Sequence, residues 1–517
     1  MQIKQGKEEQ MKVGVEKKLR ENDEPLDHDE HIAYPAHIEI LPNEILAEIF
    51  EAGVSISQRQ RGSLPFQSAI SGVNRRWRTI AVSSPRLWST ILVHSDRRSG
   101  PNFDHLRLWI ERSAPCALDI TIVAQPPWMS ESNVTWAIDQ IILHVDRWQR
   151  LTIKDISGHT VGSIIESLRT TSAPRLQHFD LSVDKGHDQS TYFTRTRDNI
   201  FTGGAAALTS ARIVGLCRVC VPPLGGLTAL HFGGACRASG SILLTYNEFR
   251  ALLSASPSLA DLALEALDLW NLSSSESYIR IPSLRTLSLN FAHCEDSFVQ
   301  ILILLSMPIL ETLSLAHMTA EHMTLFTLFL ETDEPQYAAL RTLKLFRCST
   351  FREPPDNFFS TFSSIAHLYL ISTANFILEP TASCQAETIP WPNLKSVTIL
   401  PEAFPDVILT RKASGHPITT AYVPHECLSS DEVLWARIRE DVEILEVDNV
   451  SHCVQYPGGL DHCAEVLEEH HNSYTYSDDD DHDRRERHAF FERGYGVDYD
   501  GSDDSELLEY WAVCGSD

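Results

Sequence analysis

Cys217-Arg-Val-Cys220 has the spacing of a redox or zinc pair, because two thiols three positions apart can meet one metal or close one disulfide. The motif lies in a stretch expected to be a strand, however, where positions three apart point to opposite faces. No second pair follows it, and Cys236 stands alone. His452-Cys453, His462-Cys463 and His470-His471 collect nitrogen and sulfur donors that suit borderline-soft metals, but at no standard ligand spacing. The acidic run Asp478–Asp483 lacks the glycine and the spaced ligands of a calcium loop. No phosphate-cradling glycine loop, nucleophile elbow or paired acid–base signature occurs elsewhere. The expectation is a chain without catalytic residues, metal or cofactor.

The elements must therefore serve binding. At 517 residues with 43% hydrophobic content, the chain is too long for one core, so at least two units are expected. No apolar run reaches the roughly 18–20 residues of a membrane span; Phe298–Leu305 ends at Pro308. Met1–Arg20 is charged throughout, unlike a secretory signal. Eleven scattered cysteines read as reduced thiols, which fits the cytoplasm or nucleus. Net charge is −27, and residues 451–517 hold 18 Asp or Glu against 4 Arg, so about half the excess sits in the tail. Such a balance argues against nucleic acid, which needs clustered cations.

Residues 1–36 show no sustained apolar period and read as a disordered arm. Leu41-Pro42-Asn43-Glu44 opens a helix, with proline in the first turn and an acid at the positive end. Ile45, Leu46, Ile49 and Phe50 then make one stripe, with Gly53 as its expected stop. A second helix is expected from Pro65 to Val82, ended by Ser84-Pro85. Phe50, Ile80 and Trp88 are expected in its core.

Beyond it an apolar–x–x–apolar–x–apolar unit recurs. Clear copies are Leu259-Ala-Asp-Leu262-Ala-Leu264, Leu284-Arg-Thr-Leu287-Ser-Leu289 and Leu310-Glu-Thr-Leu313-Ser-Leu315. Others start at Leu176, Leu227, Leu340, Ile365 and Leu394, and weaker ones lie around Leu151 and Leu445. The leading residues 259, 284, 310, 340, 365 and 394 are 25 to 30 apart, the period of leucine-rich repeats, in which a strand alternates with a helix and the strands stack in parallel. Connecting helices are expected at Asn247–Ala255, Asp296–Leu305, Ala320–Leu330 and Asn357–Phe362. The fold class is thus α/β: a small N-terminal helical segment (37–91), a repeat solenoid with one parallel sheet (92–450) and a disordered acidic tail (451–517).

Residues 38–91 resemble the F-box. Leu41-Pro42-Asn43-Glu44-Ile45-Leu46 with Ile49-Phe50 is similar to its opening helix, Val73-Asn74-Arg75-Arg76-Trp77-Arg78 to its second signature, and Pro85-Arg86-Leu87-Trp88 to its closing turn. Leu108-Trp109-Ile110-Glu111-Arg112-Ser113 resembles the segment after the F-box in a large group of fungal F-box proteins. Asn74 stands where the family commonly has cysteine, and the segment between the helices is long and polar; both are expected to lower affinity. The resemblance implies docking to a Skp-type adaptor and, through it, a cullin-RING ubiquitin ligase whose other subunits carry the chemistry. Carried over by position, Leu41, Pro42, Ile45, Leu46, Ile49, Val73 and Trp77 would face the adaptor. The competing expectation is a repeat scaffold whose F-box-like cap only closes the solenoid.

If the paired leucines point inward, their neighbours are displayed on the sheet face. Thr286, Ser288 and Asn290, then Thr312, Ser314 and Ala316, are small and mostly polar. Later strands display Lys344, Phe346, His367, Tyr369 and Ile371, which are nominated as the surface that binds a protein target.

Overall fold

In the computed structural model the described residues are 37–57, 66–96, 100–101, 103–124, 129–183, 198–215, 220–234, 242–270, 278–292, 299–330, 337–348, 359, 361–371, 391–399, 404–424 and 432–447. The expectations for the arm 1–36 and the tail 451–517 lie outside them. The chain divides into two units, one running to Thr90 and taking in Leu108–Cys116, the other comprising Ile91–Arg107 and Ala117 onward.

In the first unit the opening helix, α1, spans Asn43–Ser57 and runs through Gly53 instead of stopping there. That glycine makes room for an aromatic: a Cβ at position 53 would meet the Phe66 ring at 2.3 Å. The second expected helix is two helices, α2 (Phe66–Val73) and α3 (Arg75–Val82), broken at Asn74. The reason is capping. Asn74 is extended and its Oδ1 accepts the Trp77 backbone N–H at 2.8 Å, which a residue inside a continuous helix has no geometry to do. Phe50, Ile80 and Trp88 are buried, as expected, together with Leu46, Val54, Ile70 and Leu87. Trp88 donates its indole N–H to Ala81 O and lies beneath the Arg112 guanidinium, 4.4 Å from its ring centroid.

Among the described residues, the second unit is built on a fifteen-stranded sheet. After an antiparallel pair, Thr90–Asp96 with Gly100–Pro101, all its strands run parallel in chain order. They are β1 Leu118–Val123, β2 Trp148–Ile156, β3 His178–Val183, β4 Ser210–Val214, β5 Ala229–Gly233, β6 Asp261–Glu265 and β7 Thr286–Asn290, then β8 Thr312–Ala316, β9 Thr342–Phe346, β10 His367–Ile371, β11 Ser396–Ile399, β12 Thr420–Pro424 and β13 Glu443–Val447. Every expected repeat is a strand of this sheet. The paired residues such as Leu262/Leu264, Leu287/Leu289 and Leu343/Leu345, and their leaders Leu259, Leu284 and Leu340, are buried on one side. Ahead of the strands a backbone ladder continues the stack, with Arg285 N–H donating to Ala260 O, Glu311 to Arg285, Arg341 to Glu311 and Lys395 to Ala366. Each repeat thus satisfies its neighbour's backbone as well as its apolar face.

Helices return the chain. The one expected at Asn247–Ala255 spans Tyr246–Ser254, opened by a capping box in which Thr245 and Glu248 exchange hydrogen bonds. Ala320–Leu330 is helical as expected. Of Asp296–Leu305, residues 296–298 lie outside the described residues, Val299–Leu304 is helical, and Leu305 is not, because Leu305–Ser306 pairs as a strand with Ile279–Arg280. Of Asn357–Phe362, residues 357, 358 and 360 lie outside the described residues. Among the described residues no helix is long and apolar enough to cross a membrane.

Candidate functional site

The segment that resembles the F-box keeps an apolar face open after its own core is filled. On α1, Ile45 and Ile49 remain 41% and 42% exposed, and Val73 at the end of α2 is 59% exposed. Pro42 is exposed, while Leu41 and Trp77 are half-buried. Two contacts join these pieces. The Phe50 and Trp77 rings meet at 4.9 Å, and Arg76 reaches back to the Leu41–Asn43 turn, its Nε–H donating to Asn43 Oδ1 at 2.9 Å. Leu46 departs from the expected set. At 0% exposure it is core, because the helix turns it inward with Phe50 and Val54, and so it supports the face without being on it. Ile38 and Ile40, in the short helix His37–Ile40, add exposed apolar surface that the motif comparison passed over.

The displayed side of the sheet carries rows of side chains in register. One row crosses β8 to β12 as Ser314, Lys344, Tyr369, Thr398 and Tyr422. Lys344 Nζ lies 5.0 Å above the Tyr369 ring, and the Tyr369 and Tyr422 rings stack at 6.4 Å across the intervening strand, over a buried Thr398. Phe346 pairs with Ile371, not with Tyr369, and the side chain of Ile371 lies outside the described residues. His367 is exposed, with its Nδ1 2.6 Å from Ser396 Oγ. The nominated residues thus share one face of two adjacent strands, β9 and β10. Tyr422 was missed because its repeat, Ile418-Thr-Thr-Ala421-Tyr-Val423, has alanine where the others have leucine.

The middle of the same face holds a charged group that was not foreseen. Asp180, Arg212 and His231 are register partners on β3, β4 and β5, and Glu265 lies on β6; all four are buried. Arg212 Nη1 donates to Asp180 Oδ1 at 3.0 Å, and His231 Nε2 is 3.6 Å from Glu265 Oε1. Glu265 can lie there because its register partner is Gly233, where a Cβ would meet Glu265 Cγ at 2.2 Å.

Burial pushes the His231 imidazole below its ordinary value; Glu265 opposes this, and Arg212 adds to it. His178 is pushed down too, by burial and then by Arg150. Below an ordinary value of 6.5 the unfolded chain therefore takes up protons that the folded chain refuses, so stability falls with falling pH. Melting temperature should drop as the pH is lowered through 6.5 toward the depressed folded values, and His231→Gln should flatten part of that slope. An equal slope in the variant would remove His231 as its source.

Of the Cys217/Cys220 pair, Cys220 is buried and in no disulfide, and Cys217 lies outside the described residues, as do the His/Cys pairs and the acidic run of the tail. The buried Cys348 thiol is pushed up to about 11, which leaves little thiolate at neutral pH. Among the described residues no three His, Cys, Asp or Glu side chains are grouped to hold a metal.

No family model and no curated protein matches the sequence. Among solved structures the chain is similar to one in the crystal structure of the Rad7 and Elc1 complex in yeast, with 11% identity and a TM-score of 0.28 over 80% of this chain and 94% of that one. At that level the likeness carries no argument. The repeat architecture rests on the parallel sheet and its register.

Proposed function

We propose that this chain is the substrate-recognition subunit of a Skp–cullin–F-box E3 ubiquitin ligase, working in the cytoplasm or nucleus and leaving the chemistry to its partners. The observation that carries the reading is the open apolar face of Ile45, Ile49, Val73 and Pro42 on a small helical unit whose core is already complete. Apolar side chains held in water on rigid helices are what a protein partner covers. These four are among the seven positions that the F-box resemblance names; of the other three, Leu46 is buried and Leu41 and Trp77 are half-buried. The test is capture of a purified Skp-type adaptor by the full chain. Failure of the wild-type protein to bind would leave a repeat scaffold with a helical cap.

The target-binding surface in this reading is the late sheet face of Lys344, Phe346, His367, Tyr369 and Ile371, extended by Tyr422. Aromatic side chains on a displayed sheet provide large contact area at low entropic cost. The double variant Phe346→Ala, Tyr369→Ala is expected to lose target enrichment in crosslinking mass spectrometry with the ligase inhibited, while still capturing the adaptor. An unchanged set of crosslinked proteins would discard this face.

A further inference from the structure

We infer that Arg76 is a positioning residue for the adaptor-docking face, a backbone clamp that joins its two halves without being part of it. This rests on the docking role proposed for the Ile45/Ile49 face. Arg75, Arg76 and Arg78 follow one another in sequence and look like equivalent surface charges. Their surroundings differ. Arg76 donates from one terminal nitrogen to the Leu41 carbonyl and from Nε to Asn43 Oδ1. Arg78 Nε donates to Ser71 O at 2.8 Å, which ties the last turn of α2 across the break at Asn74. Arg75 is exposed, and its guanidinium makes no hydrogen bond or ion pair among the described residues.

The consequence follows from where the clamp ends. Leu41 and Asn43 flank Pro42, whose carbonyl accepts the Leu46 N–H that starts α1. Arg76 sits between Val73 and Trp77 at the other half of the face. Without it the turn loses, among the described residues, both side-chain hydrogen bonds that tie Leu41 and Asn43 to α3, and the partner would have to pay the entropy of ordering that turn against the α2–α3 corner. The planar guanidinium suits two acceptors in different directions, which a lysine ammonium does not reproduce.

The experiment measures affinity of the full chain for a purified Skp-type adaptor by calorimetry, with hydrogen exchange of residues 41–46 on the same proteins. Arg76→Ala should bind about tenfold more weakly or worse. Arg75→Ala, which removes the same charge, should stay within about twofold. Arg76→Lys should fall between them, and adding Asn43→Ala to Arg76→Ala should cost little more. Exchange at Leu46 should quicken in Arg76→Ala and not in Arg75→Ala. Equal losses from the two alanine variants would make the effect one of charge and overturn the clamp, as would unchanged affinity in Arg76→Ala. If Arg76→Ala does not fold, Arg76→Lys decides on the same readouts. Absence of wild-type binding would sink the ligase reading by itself; exchange would then judge the clamp, with unchanged Leu46 protection overturning it.

Discussion

The double variant Ile45→Asp, Ile49→Lys is expected to lose adaptor capture while melting like the wild-type protein. The pair is chosen so that the helix gains what the interface loses. Position 45 lies in the first turn of α1, where an acid suits the positive end of the helix dipole. Position 49 follows by four, so an acid-to-base pair along the helix adds a small stabilising contact. Both isoleucines are more than a third exposed, and the core beneath them is made by Leu46, Phe50 and Val54, which the variant leaves alone. Against a partner the arithmetic reverses. Two apolar side chains no longer bury their surface and two charges must be desolvated, a change worth roughly a hundredfold or more in affinity. Pull-down titration with purified adaptor, beside a thermal melt, reads both quantities. Capture at wild-type strength would show that the adaptor, if it binds at all, uses another surface.

Asp180→Ala should be among the most destabilising single changes in the solenoid. Asp180 and Arg212 are each about 3% exposed, and the carboxylate is the described ion-pair partner of that guanidinium. Removing it strands a buried cation, which costs about 3–5 kcal/mol. The companion variant Asp180→Ala, Arg212→Met removes both charges and should recover most of the loss, since a buried pair is replaceable by apolar side chains of similar volume. Urea unfolding followed by far-ultraviolet circular dichroism compares the two. If single and double variants unfold at the same denaturant concentration, the charges are solvated in the folded protein and the pair is not doing what its burial implies.

The buried network also marks where reading from sequence stopped. Asp180, Arg212, His231 and Glu265 each occupy the displayed slot of a repeat, and period-2 alternation alone expects that slot to face solvent. Their pairing depends on strand neighbours 32 residues apart for Asp180 and Arg212, and on a glycine in the adjacent strand that leaves space for Glu265. The strand Ser210–Val214 does not show the repeat pattern in its sequence, because Ala211 takes the position that leucine holds elsewhere. Ala421 did the same to Thr420–Pro424. Buried alanines satisfy the inward register but carry too little hydrophobicity to announce it.

In the helical segment the stripe at 45, 46, 49 and 50 was legible, but not which of its members faced outward. Four apolar positions around one helix cover more than one face, and only the helices packed against α1 decide that Leu46 and Phe50 are core while Ile45 and Ile49 stay in water. The break at Asn74 likewise depends on a local hydrogen bond to Trp77 N–H that competes with helix continuation. By itself, then, the sequence determined the repeat period, the parallel sheet and the position of the N-terminal helical segment. These follow from apolar spacing, which is local and repeated. The tertiary structure alone decided the charged row buried on the sheet face, the outward half of the helical stripe and the hydrogen bonds of Arg76 to the Leu41–Asn43 turn, because each depends on groups far apart in the chain whose meeting is set by packing.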